Sequence, residues 1–483
     1  MNLSLATQNG KENVFYIILS VFVLVASIAT GYEFYYIWAF PAAVLVIGLA
    51  LFKLDWLLLA IVFFTPLSLN FEKLQFGLGV YLPTEPLMFG AMLVFFAKVA
   101  YDWKFDMQVL KHPLSIAILF NLIWIFICVL PSELPMVSFK YFVSRMWFVV
   151  PFYFMATHLF KNHKNIDRFI WLYIIPFAGV IIWTLIQHGI RGFEEKPAHW
   201  VMQPFYKDHT SYGALIAFFM PVMTLYLFVK NMRITTKVQV FLMLLLFVVA
   251  VIFSFTRAAW VSLLGVLVLY YIIRFRVHIR YLLMLAAFGL FVLFNLQDTI
   301  IQKLEKNRQD SSSDLSEHVE SISNVATDAS NVERMNRWTA AIKMWQERPV
   351  FGHGPGTYSF LYAPYQHSSL LTIISTNFGD GGNAHSEYIG PLAETGVLGL
   401  VTLLVIIFFF YYTAIPLYYR LTDQKLQLIL MGVILGETTY LIHGFLNNFL
   451  DTDKAAVPFW GFMAIVVALD VYQKSQETQK NNK

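Results

Sequence analysis

The chain has 483 residues, of which 58% are hydrophobic and 17% aromatic but only 13% charged, and its formal net charge is +4. A soluble domain carries roughly 25% charged residues, whereas here the apolar residues come in blocks of about 17–25, the length needed to cross a bilayer core of about 30 Å. This composition sets aside a soluble enzyme. With no basic helix interleaved with stacking aromatics it also sets aside a nucleic-acid partner.

In chain order, about fourteen spans (twelve to fourteen) are expected. They begin near Val14, Phe34, Asp55, Glu85, Pro113, Ser138, Ile166, Ser211, Val238, Ala258, Tyr281, Val397, Leu426 and Ala456. The third is short. The first apolar run has no small-residue cleavage site and is followed at once by another span, so it reads as an anchor and not a removable signal. Basic residues fall in alternate loops: Lys98, Lys104 and Lys111, then Lys161, Lys164 and Arg168, then Lys230, Arg233 and Lys237, then Arg274, Arg276 and Arg280, then Arg420 and Lys425. The tail adds Lys474, Lys480 and Lys483, while the opposite loops, such as 31–33 and 447–454, carry few or none. The positive-inside rule then places both termini in the cytoplasm. The expected fold class is an all-α integral membrane protein. Its parts are spans in 1–296, one large outward loop in 297–385, further spans in 386–473 and a cytoplasmic tail in 474–483.

Two links are longer than a simple connection. Residues 189–210 form a modest external loop, and 297–386 form a much larger one, of the length usual for functional or disordered segments. The large loop opens on the polar run Asn307-Arg308-Gln309-Asp310-Ser311-Ser312-Ser313-Asp314, which reads as a mobile lead. From Val332 the pattern changes. Trp338, Ala341, Ile342 and Trp345 recur at helical spacing and predict an amphipathic helix suited to the membrane interface. Arg348-Pro349 ends it, and the turn Phe351-Gly352-His353-Gly354-Pro355-Gly356 follows.

The residues able to carry chemistry are few. Arg257, in Ser254-Phe255-Thr256-Arg257-Ala258-Ala259-Trp260, lies between two apolar runs at the outer surface. It reads as a snorkelling cation or as an anion site, since its planar fork of donors matches phosphate oxygens. Arg334 and Arg337 share one turn of the amphipathic helix, either as a solvated face or as cations turned inward beside Trp338. His385, in Asn383-Ala384-His385-Ser386-Glu387-Tyr388, can take a proton near neutral pH or serve as a structural hydrogen-bonding group. His209 lies at the outer mouth of the eighth span, where it can contact a sugar. Arg145, inside the sixth span, costs about 2.5–3.5 kcal/mol on insertion scales and requires a partner or a polar cavity. His353, His367, Asp380, His385 and Glu387 share a segment, but none has zinc-motif spacing, so no metal and no other cofactor is expected. The series Gly352, Gly354, Gly356 lacks the preceding strand and following lysine of a phosphate loop and reads as a tight turn. Cys128, the only cysteine, sits in an apolar run and reads as packing.

The order of these signals resembles the O-antigen ligase and O-antigen polymerase superfamily, which also includes protein O-oligosaccharyltransferases. The resemblance rests on Arg257 opening a span after a Ser/Thr stretch, and on Arg334 to Trp338 and Pro349-Val350-Phe351-Gly352-His353-Gly354. It continues through His385-Ser386-Glu387-Tyr388 and Leu392-Ala393-Glu394-Thr395-Gly396-Val397-Leu398-Gly399. It covers about residues 254–400. Ser386 stands where asparagine is common in the family, and about fourteen spans exceed the twelve of a ligase. The resemblance implies a glycosyltransferase C-type membrane fold in the bacterial inner membrane, with the large loop periplasmic. The implied donor is an undecaprenyl-pyrophosphate-linked glycan, and the acceptor is lipid A core, a protein Ser or Thr, or another lipid-linked glycan. By carry-over, Arg257 and Arg334, with Arg337 beside them, would bind the pyrophosphate, and His385 would act as base or orient the acceptor hydroxyl. Glu387, Tyr388, Glu394, His209 and Arg145 are the candidate acceptor or sugar contacts. A transporter that guides an anionic lipid without chemistry is the reading from a different class.

Overall fold

The computed structural model describes residues 20–33, 35–71, 80–102, 105–278, 329–371 and 382–481, with a few isolated positions besides. The polar lead 307–314, nearly all of the span expected from Tyr281, and Asp380 lie outside the described residues. The chain divides into two units, Met1–Leu57 and Leu58–Lys483. In the first, helices Ser20–Gly31 and Ala39–Phe52 flank a tight turn. Trp38 Nε1 donates to Thr30 Oγ1 at 2.8 Å, and Phe22 packs against Trp38 and Phe40.

The described residues of the second unit are helical apart from a short hairpin in which Leu69–Phe71 pairs antiparallel with Val80–Leu82. Among the described residues, seven of its helices are long and apolar enough to cross a membrane. The expected third span is only an 11-residue helix, Leu54–Phe64, about half the required length. The helices that carry the site are numbered α1 (Pro113–Val129), α2 (Pro135–Val149), α3 (His209–Tyr226), α4 (Arg257–Arg274), α5 (Ala329–Glu347), α6 (Ile389–Arg420), α7 (Gln424–His443) and α8 (Asp453–Asn481). The expected sixth span is composite. α2 runs on through a π-helical turn, Val150–Met155, into Ala156–Leu159. Pro151 in that turn has no N–H to give, so the wider winding keeps the segment continuous.

α8 is the centre. Its apolar stretch Asp453–Tyr472 is wholly buried, whereas Ile234–Phe253 is 22% buried and turns Phe241, Leu242 and Leu245 outward. A helix apolar all round belongs inside a bundle, and an outward aliphatic face suits lipid. Close approach at the centre depends on missing side chains. Gly461 of α8 seats the Phe169 ring, and Gly432 and Gly436 of α7, four residues apart, lie against Val222 and the Phe218 carbonyl of α3.

α5 forms as expected, but its buried stripe lies to one side of the expected one. Glu333, Asn336, Arg337, Ala340, Ala341 and Met344 are buried against the rest of the protein, Trp338 and Trp345 are half-buried, and Ile342 is exposed. The ion pair of Arg337 with Glu333, one turn apart at 2.6 Å, lets two charges enter the packed face together.

The glycine-rich turn is a latch onto α6. His353 N donates to Ala393 O, Gly354 N to Glu394 O and Val397 N to Pro349 O, at 2.9–3.0 Å. Gly352 (φ +65°) and Gly396 (φ +71°) adopt left-handed backbone there. A Cβ on Gly396 would lie 2.0 Å from the Val350 oxygen. Its N–H groups therefore bind protein, not phosphate. Glu133, in the α1–α2 loop, secures the latch through Arg348 (2.9 Å) and His353 Nδ1 (2.7 Å). Gly396→Ala is expected to cost at least about 1–3 kcal/mol through strain and collision. Thermal unfolding in detergent reads this, and an unchanged melting temperature would contradict the latch.

Candidate functional site

Two helix starts meet at one end of the bundle. Asp208 caps α3, its Oδ1 accepting from Ser211 N at 2.8 Å and Thr210 Oγ1 at 2.6 Å. α4 begins at Arg257, and the preceding Thr256 makes no cap bond. Its hydroxyl donates instead to the His209 carbonyl at 2.8 Å, which ties the two starts together. A helix start presents N–H groups and the positive end of the helix dipole, the local field an anion seeks. Arg257 stands there.

Arg334 reaches the same region from α5. Its Nε donates to the Leu446 carbonyl at 3.1 Å, in the turn that follows α7. His209 records the convergence. Burial pushes its imidazole down to about 4 and His199 pushes the same way, Asp208 opposes, and Arg334 and Arg257 lower it further. Arg337 is placed differently. Its Nε is paired to Glu333, its guanidinium lies 4.4 Å over the Tyr362 ring, and Nη1 donates to Asn383 O at 3.4 Å. It braces the strand of chain that leads into His385.

His385 occupies left-handed backbone (φ +50°), unusual for a side-chain-bearing residue and typical of functional turns. Asn383 Oδ1 accepts its N–H at 3.1 Å. Burial lowers its pKa to about 4, and the Arg334 and Arg337 charges act in the same direction. At neutral pH the ring is uncharged and has a lone pair to offer.

Beside His385 lies a cavity of about 310 Å³, lined by its neighbours Ala384 and Ser386 and by Arg145, Lys207, Glu394 and Asp451. Arg145 thus has the polar cavity its depth demands. It donates to Tyr141 Oη at 2.6 Å and to Leu450 O at 3.2 Å. Glu394 lines the cavity and accepts from Tyr358 N at 3.2 Å.

Glu387 and Tyr388 are braces more than free contacts. Glu387 Oε1 accepts from Tyr440 Oη (2.6 Å), Phe449 N (2.7 Å) and Leu450 N (3.0 Å). Burial holds this carboxyl above the usual range, and the Tyr440 and Leu450 bonds pull it back. Tyr388 donates to Leu441 O at 2.9 Å and stacks on Phe445 at 4.3 Å. Glu387→Ala strands three donors, each worth about 1–3 kcal/mol when left unsatisfied. Glu387→Gln keeps an acceptor oxygen. Alanine should therefore lower the melting temperature far more than glutamine, and equal losses would contradict this role.

Among the described residues no three of His, Cys, Asp and Glu are placed to share a metal ion. His353 lies between Glu133 and the Met344 carbonyl (3.1 Å), and His367 N donates to Asn336 Oδ1 at 2.9 Å. Lys207, Asp208 and Asp451 were not among the residues singled out in the sequence. Asp208 carries a readable signal, an Asp three residues before the serine that opens an expected span. The other two owe their place to tertiary contact alone.

The protein is helical, with helices apolar and long enough to cross a membrane among the described residues, and a polar cavity lies beside His385. Residues 241–404 match the family model described as O-Antigen ligase, and the chain carries a domain of the O-antigen ligase superfamily. The matched stretch contains Arg257, Arg334, Arg337, His385, Glu387, Tyr388 and Glu394, while Arg145 and His209 lie outside it. A search of curated proteins finds no match for the chain.

Proposed function

We propose that the chain is a glycosyltransferase that moves a glycan from an undecaprenyl-pyrophosphate carrier to an acceptor hydroxyl on the periplasmic side of the inner membrane. The observation that supports this reading is that Arg334 from α5 acts on both His385, in the loop before α6, and His209, whose helix start is tied to the α4 start where Arg257 stands. The acceptor oxygen attacks the anomeric carbon, and the carbon–oxygen bond to the pyrophosphate breaks with its electron pair on the carrier. The acceptor proton passes to a ring nitrogen of His385. Arg257, Arg334 and the α4 start offset the charge developing on the leaving group, the kind of fixed stabilisation that lowers such barriers most. Arg337 serves by position.

The cavity beside His385 receives the acceptor, with Arg145 and Glu394 facing it, His209 near the donor and Glu387 and Tyr388 holding its wall. Attack opposite the leaving group inverts the anomeric configuration. No nucleotide or metal is required, because the activated donor supplies the driving force. Membrane lipids surround spans of a glycosyltransferase C-type fold, with both termini cytoplasmic.

A ligase-type transfer to lipid A core is the favoured acceptor chemistry. A deletion strain tests it. Loss of capped lipopolysaccharide is the expected result, while loss of long chains only would point to polymerisation and loss of glycoproteins to transfer onto protein Ser or Thr. A strain with all three intact would contradict the proposal.

A further inference from the structure

The arginine of the cavity is held by a residue that has no part in the chemistry above. Arg145 lines the cavity from α2 and keeps some exposure there. An arginine has a long, freely rotating stem, and a ligand that meets it loose must also order it. Here that ordering is built in. Nη2 donates to Tyr141 Oη at 2.6 Å and Nη1 to Leu450 O at 3.2 Å, which takes up two of the five N–H donors of a guanidinium. Nε makes no hydrogen bond and is not buried. Among the described residues no carboxylate pairs with the group, and Glu387 and Asp451 act on it only through space. The cation is fixed at one edge and open to a ligand at the other.

Each anchor is itself fixed. Tyr141 lies one turn before Arg145, and the guanidinium folds back to 5.4 Å from the centroid of its ring. The latch packs on the same tyrosine. A Cβ on Gly356 (φ +74°) would lie 3.0–3.2 Å from Tyr141 Cδ2, Cβ and Cγ, so the turn approaches the ring as closely as a glycine allows. Leu450, the second anchor, has its N–H bound to Glu387 Oε1 at 3.0 Å. Of the two anchors only Tyr141 offers a side chain, and its hydroxyl is the atom that does the holding.

We propose that Tyr141 is a positioning residue for the acceptor: its hydroxyl holds Arg145 in the conformation that meets the acceptor, with the latch fixing the ring. The proposal rests on the reading of this cavity as the acceptor site. Removing the hydroxyl alone releases Nη2 and restores rotation of the arginine without touching its charge. The acceptor must then order that side chain as it binds, while the donor, held at Arg257 and Arg334, is unaffected.

The test follows initial rates of transfer from an undecaprenyl-pyrophosphate-linked glycan to lipid A core, varying each substrate in turn. It uses the purified full chain in lipid nanodiscs, with thermal melting as a check on folding. Tyr141→Phe should raise the KM for lipid A core about 3- to 10-fold, the worth of ordering one long side chain, with the KM for the donor and the melting temperature little changed. Arg145→Ala should raise the same KM at least as far, and adding Tyr141→Phe to it should raise it no further. An unchanged acceptor KM in Tyr141→Phe, with Arg145→Ala weakened, overturns the proposal and leaves Arg145 as an acceptor contact. Losses that multiply in the double variant, or a Tyr141→Phe that raises both KM values alike, also overturn it, since they mark a packing role. An Arg145→Ala that keeps the acceptor KM of the unaltered chain overturns the acceptor reading of the cavity and the proposal together. So does an unaltered chain that transfers nothing.

Discussion

Replacing Arg257 by alanine is expected to cut glycan transfer by about 10²–10³-fold, and Arg334→Ala by the same order, because each removes a fixed donor from the point where leaving-group charge develops. The two should not multiply. They act on one anion, so the double variant should fall short of the product of the single losses. Lysine is a poor substitute at both positions. At Arg334 it loses the Nε–H that docks on the Leu446 carbonyl, and with it the alignment of the remaining fork. Initial rates with purified protein check this. A variant at either position working within about threefold of the unaltered chain would contradict the assignment.

His385→Ala should cost about 10²–10⁴-fold, the usual worth of a positioned proton acceptor. The pH profile is the sharper result. The His385 pKa in the free protein is depressed to about 4, so the ring is neutral above that pH and becomes protonated only as pH falls through it. The profile of kcat/KM reports the free protein, and its acid limb should lie near pH 4, well below the ordinary imidazole value of about 6.5. A bound pyrophosphate offsets the Arg334 and Arg337 charges that help depress the ring. The acid limb of kcat, which reports the complex, should therefore stand at higher pH. An acid limb of kcat/KM at 6.5, or identical limbs in both profiles, would contradict the role.

The helical, apolar character was legible because a bilayer demands long apolar runs, and among the described residues seven helices are long and apolar enough to cross one. What hydropathy could not resolve was length at the third position, where helix Leu54–Phe64 stops at 11 residues, and the hairpin after it, whose strands have three residues each. Arg257, Arg334 and His385 could be singled out as candidates through their order along the chain. The role of Arg337 was not legible, because a Glu333–Arg337 pair one turn apart looks the same in sequence whether solvated or packed under Tyr362. Arg145 announced a polar cavity by its cost in a membrane, but not that Lys207 and Asp451 line it.

In the proposed reaction this chain breaks the sugar–pyrophosphate bond and passes the glycan on. The direct measurement incubates purified protein with an undecaprenyl-pyrophosphate-linked glycan and lipid A core, and follows free carrier and product together. One undecaprenyl pyrophosphate should be released for each glycan transferred, with the anomeric configuration inverted. Glycan that stays on its carrier with the acceptor present would contradict it, as would a product that keeps the donor's configuration.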